Sequence, residues 1–109
     1  MPEDPQKMLM ELQQTQQQLQ QITMQKEETD SEIQEAEKAL KELEKSDEGK
    51  VYDSIGSIMV EKDREDLINE LEDRVEDLNV RKKSLDRKEE KLQKKMQESR
   101  ESFQQNMGQ

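Results

Sequence analysis

The sequence predicts a mainly α fold: a long antiparallel two-helix coiled coil with one β-hairpin in the connector. Three observations predict it. Of 109 residues, 28% are hydrophobic and 42% charged, too little apolar matter for a compact core but enough for a narrow stripe on long helices. Two stretches repeat apolar residues at heptad spacing. Between them lies a short segment rich in β-branched residues. Only 3 Gly and 2 Pro occur, fewer than disordered chains carry.

The first helix is expected over about residues 5–47. Pro5 suits a first helical position, and Asp4 before it can cap orphan amides. One seam reads Leu12, Leu19, Lys26, Ile33, Leu40; the other reads Met8, Thr15, Ile22, Thr29, Ala36, Leu43. Eight of these eleven positions are apolar. The helix should end near Ser46-Asp47-Glu48-Gly49, where Gly49 offers a left-handed residue.

Residues 50–61 form the connector. Val51-Tyr52-Asp53-Ser54-Ile55-Gly56-Ser57-Ile58-Met59-Val60 alternates in part around one Gly. It reads as a hairpin reversing near Ser54 to Ser57, or as one strand followed by a loop, since no Asn-Gly or Asp-Gly pair marks a turn.

The second helix is expected over 63–107, with Asp63 as N-cap, Glu65 and Asp66 at the positive dipole end, and Gly108 closing it. Its seams are Ile68, Val75, Lys82, Glu89, Met96, Phe103 and Leu71, Leu78, Leu85, Leu92, Ser99. Again eight of eleven are apolar. In an antiparallel register Leu43 meets Ile68 and Met8 meets Phe103. The polar exceptions then gather: Thr29 opposite Lys82, Lys26 opposite Leu85, Ile22 opposite Glu89. Lys26 and Glu89 come within pairing distance. This zone reads as a register-fixing polar layer; a flexible joint is the alternative. Helices of this length would reach on the order of 65 Å at 1.5 Å per residue. A lone two-stranded hairpin is marginal in water and leaves its edges unpaired, so an obligate oligomer joined through the connector is expected.

Several function classes are excluded. Without His or Cys, the usual nitrogen and sulfur ligands for transition metals are missing and disulfides cannot form. No Gly-rich phosphate loop occurs, and no Ser-His or Cys-His pair is available. Neither catalysis, a cofactor nor a metal is expected. The net charge of −10 and pI near 4.6 disfavour nucleic acid and anionic membranes. No apolar run approaches the roughly 20 residues of a membrane span, and Met1-Pro2-Glu3-Asp4 is unlike a signal peptide, so a soluble cytoplasmic protein is expected.

The connector segment resembles the V-Y-x-x-(I/V)-G-x-(I/L)-x-V hairpin motif of prefoldin, with Tyr52 and Gly56 in the matching places. The Gln-rich early helix (Gln13, Gln14, Gln16, Gln17, Gln18, Gln20, Gln21) and the Ala39-Leu40 with Leu43 before an acidic connector are similar to that family too. A single hairpin matches the β-type subunit, of archaeal kind. The resemblance implies an assembly of two α-type and four β-type subunits, whose hairpins join into β-barrels. Val51, Tyr52, Ile55, Gly56, Ile58 and Val60 would then be oligomerisation residues. Asp53 stands where family members often carry a basic residue.

The resemblance further implies an ATP-independent holdase that binds unfolded polypeptide at the coiled-coil tips and delivers it to a group II chaperonin. Met8, Leu9, Met10, Leu12, Met96, Phe103 and Met107 would contact clients. Leu9, Met10 and Met107 fall outside the seams and should be partly exposed. Met is flexible and polarizable, which suits a surface accepting many shapes. Opposite the uncharged stretch Leu12–Gln25, the second helix is basic (Lys88, Lys91, Lys94, Lys95). This reads as a solvated face, with hydrogen bonding to client backbone as the alternative. The competing function is a structural coiled-coil scaffold or a filament-forming relative.

Overall fold

A computed structural model describes residues 4–46 and 49–107. The element order is α1 (Pro5–Lys45), β1 (Lys50–Ile55), β2 (Ile58–Asp63) and α2 (Arg64–Met107). The chain divides into two compact units, Met1–Glu28 with Lys82–Gln109, and Thr29–Arg81. Both helices contribute to each unit.

In the first unit, α1 starts as its sequence dictates. The Gln6 amide, one of those without a helical partner, donates to Asp4 Oδ1 at 3.1 Å, and the Met8 amide makes the first helical bond, to the Asp4 carbonyl at 3.0 Å. Met8, Thr15 and Leu85 are buried, while Leu12, Leu19, Ile22, Leu92, Met96 and Phe103 are half-buried. Thr15 sits in the apolar seam without leaving its hydroxyl unpaired, because Oγ1 donates to the Glu11 carbonyl at 2.9 Å. The expected Lys26–Glu89 pair forms at 3.1 Å, and Asp86 closes on the same ammonium at 2.8 Å. The hydrogen bond to Asp86, then that to Glu89, holds Lys26 above the ordinary lysine value of 10.5. Asp86 directly follows a seam residue, a flanking position where coiled coils commonly place ion pairs.

In the second unit, Ile33, Ala36, Leu43 and Leu78 are buried, with Leu40, Ile68, Leu71 and Val75 half-buried. Leu67, off the predicted seam, is buried as well. It lines a polar cleft together with Ala36, Asp53 and Ser54. α1 ends at Lys45 rather than near 47. Its last turn is closed by the Ser46 amide and by Arg64 Nε, which donate to the Leu43 carbonyl at 3.2 and 3.0 Å. Arg64 thus joins the start of α2 to the end of α1. The Arg64 amide also donates to the Gly49 carbonyl at 2.9 Å. Asp47, Glu48 and the closing Gly108 lie outside the described residues.

The connector is an antiparallel hairpin, with pairs running from Lys50↔Asp63 to Ile55↔Ile58. It extends two residues past the expected 61, and α2 begins at Arg64 rather than 63. Charge pairing supports the longer strand: Lys62 Nζ meets Asp53 Oδ2 at 3.0 Å and Glu70 Oε2 at 2.9 Å, and Lys50 lies 3.6 Å from Glu61. The reversal is the two-residue loop Gly56-Ser57. Gly56 has φ 62°, a conformation glycine adopts without steric cost. A Gly in the first loop position is the mark of a type II′ turn, whose twist matches that of the strands. The single-strand alternative is therefore set aside.

Candidate functional site

Two surfaces carry the candidate residues, one in each unit. On the hairpin, strand alternation divides the predicted set. Val51 and Val60 are half-buried and share a face with Asp53 and Lys62. That face is tied to α2 through Lys62 and Glu70. The hydrogen bond to Glu70, then that to Asp53, raises Lys62 above 10.5. Asp53 therefore spends its charge inside the chain, on a lysine of the neighbouring strand.

The opposite face carries Tyr52, 64% exposed, and Met59, 65% exposed. Ile55 and Ile58, paired beside the turn, are exposed too. Four large apolar side chains on a two-stranded sheet thus face water, and both strand edges lack a neighbour among the described residues. Such an edge is a template for strands of another chain. Met59 was missing from the sequence-predicted set. The period of two from Glu61, which is solvated, already points it to the outer face.

At the other surface, the beginning of α1 and the end of α2 come together. Asn106 Nδ2 donates to Met8 Sδ at 3.2 Å. Met8 is only 5% exposed, so its side chain packs within the unit. Leu9 and Met10 are exposed, Met10 at 62%. Leu12, Met96 and Phe103 are half-buried on the seam. Met107 is the last helical residue, and its side chain lies outside the described set. The predicted residues therefore separate into a packed group (Met8), a half-covered group (Leu12, Met96, Phe103) and an open pair (Leu9, Met10).

Sequence reasoning missed Met24, which is exposed and shares a trough of about 460 Å³ with Leu19 and Met96. It also missed Val80, exposed on the outer side of α2 in the other unit. Each lies two residues beyond a seam position, the part of the heptad facing away from the partner helix. An apolar residue there is an anomaly that the heptad itself marks.

Among the described residues no group of His, Cys, Asp and Glu is arranged to hold a metal, and no helix is long and apolar enough to cross a membrane. The open surfaces fit polypeptide, through strand edges in one unit and soft apolar side chains in the other. A family model described as "Prefoldin subunit" matches residues 6–109. The chain belongs to the prefoldin family. Its fold is similar to that of the prefoldin beta subunit from Thermococcus strain KS-1, with a TM-score of 0.82 and 37% identity over 94% of this chain and 90% of that one. A search of curated protein sequences found no match. Two long helices joined by one hairpin make this the prefoldin beta fold, and family and fold together make the chain a chaperone-type subunit built to assemble with other prefoldin subunits.

Proposed function

We propose that this chain is a β-type subunit of a hetero-hexameric prefoldin, two α-type and four β-type, acting as an ATP-independent holdase in the cytoplasm without any catalysis of its own. The hairpin joins neighbouring hairpins into a barrel. The helix ends hold unfolded polypeptide, which passes to a group II chaperonin. The observation carrying this reading is the hairpin's exposed apolar side chains, Tyr52 and Met59 on its outer face and Ile55 and Ile58 beside the turn, together with strand edges that have no neighbour among the described residues. A two-stranded sheet in this condition gains stability by adding strands. Leu9 and Met10, open to solvent at the other surface, supply adaptable apolar contacts of the kind a promiscuous binder needs.

Sizing the chain alone and after mixing with an α-type prefoldin subunit tests the assembly. A monodisperse complex that forms only on mixing is the expected result. Long polymers from this chain alone would replace the chaperone by the structural, filament-forming reading.

A further inference from the structure

The net charge of −10 is carried entirely by one unit. Residues 29–81 hold eighteen acidic and eight basic side chains, whereas the rest of the chain holds ten of each. Inside that neutral unit the charges are again separated. Residues 12–25 of α1 carry none, and residues 82–95 of α2 carry seven basic against three acidic. Two of those three, Asp86 and Glu89, are committed to Lys26.

A shallow groove of about 330 Å³ lies between these segments, floored by Ile22 and Leu92 and rimmed by Gln18, Gln25, Lys88 and Lys91. Neither Lys88 nor Lys91 forms an ion pair among the described residues, although the chain has an excess of carboxylates. Three residues apart on a helix, the two ammonium groups lie on one face about a turn apart. In an extended strand residues i and i+2 share a face roughly 7 Å apart, so an apolar side chain and a carboxylate two residues along can both face the groove. Without an aromatic side chain, the groove has no platform for stacking a nucleobase, and its apolar floor has no use in binding phosphate.

We propose that this groove is a client subsite for extended segments in which a carboxylate stands two residues from an apolar residue. The apolar side chain sits on Ile22 and Leu92, the carboxylate on the same strand face meets Lys88 and Lys91, and the Gln18 and Gln21 amides bond the client backbone. The proposal rests on reading the protein as a binder of unfolded polypeptide.

The test uses fluorescence anisotropy on the full-length chain. Three labelled twelve-residue peptides are compared, called Glu-Leu, Lys-Leu and Glu-Ser: three repeats each of Glu-Ser-Leu-Ser, Lys-Ser-Leu-Ser and Glu-Ser-Ser-Ser. Suppression of aggregation of a denatured client is followed in parallel. The Glu-Leu peptide should bind about tenfold more tightly than the other two, a size typical of complementary charge at a partly open site. K88Q/K91Q should erase the preference over Lys-Leu and K88E/K91E reverse it, with helix content unchanged by circular dichroism. Equal binding of all three peptides, a preference that survives charge reversal, or an oligouridylate binding as tightly as Glu-Leu overturns the subsite. If no peptide binds while aggregation is still suppressed, the subsite alone falls. If neither is seen, the holdase reading falls with it.

Discussion

The two units share one device and differ in nearly everything built around it. Both are held by apolar seams at heptad spacing, with Leu85 buried in one and Leu78 in the other. The unit at 29–81 is strongly acidic, fastens its hairpin by ion pairs and presents Tyr52 and Met59. The other is neutral, contains the Lys26–Asp86–Glu89 cluster and presents Leu9, Met10 and Met24. The heptad therefore supplies the fold in both, while charge and exposed residues give each unit its own surface. Strong like charge discourages non-specific association around the hairpin, leaving its apolar face and edges as the places where another chain can attach.

If the seam is the common device, cutting it should harm both units alike. Leu85→Ala and Leu78→Ala are each expected to cost about 2–4 kcal/mol through lost burial and the cavity left behind. Urea unfolding of the two variants checks this; a large loss for one and none for the other would break the symmetry. A change at the turn should act on one unit only. A Cβ on Gly56 meets nothing within 4 Å, so Gly56→Val costs only its backbone strain at φ 62°, about 1–2 kcal/mol. Hydrogen exchange should accelerate at the β1 and β2 amides and remain unchanged in residues 5–28.

Salt should sharpen the contrast more gently. Raising ionic strength screens the repulsion within 29–81 and is expected to strengthen protection there by roughly 0.5 kcal/mol, with a smaller change in the neutral unit. Segment-resolved exchange at low and moderate salt measures it. The smallest effect belongs to the two lysine clusters. Lys26 and Lys62 both lie above 10.5, so their contribution is intact below that value and is lost as pH rises through their higher folded values. Arginine stays charged there; K26R/K62R should therefore lose less melting temperature than the unaltered chain between pH 9 and pH 12.

Much of this was legible in the residues. Every seam position on both helices is buried or half-buried, because heptad spacing leaves little choice of face. The Lys26–Glu89 pair followed from the same register. The turn was harder to read: Gly56-Ser57 marks it through a Gly in the first loop position, whereas Asn-Gly and Asp-Gly mark the alternative type. Lys62-Asp63 reads as the lead into a helix capped by Asp63 until Asp53 and Lys50 are placed across from these residues. Leu67 and Met8 show the remaining limit. Heptad spacing says which residues face the partner helix, but not that Leu67 lines the cleft beside Asp53 and Ser54, nor that Asn106 reaches Met8.

The central claim is a division of labour, assembly at the hairpin and client contact at the helix ends, and crossed variants test it most directly. Tyr52→Lys with Ile58→Lys, and separately Met10, Phe103 and Met107 all changed to Ser, are each mixed with an α-type subunit. Mass by analytical ultracentrifugation and suppression of client aggregation are measured on the same samples. The account predicts that the hairpin variant fails to form the complex, while the helix-end variant forms it at full mass with weakened suppression. A helix-end variant that suppresses aggregation as well as the unaltered chain, or a hairpin variant that assembles at full mass, would contradict it.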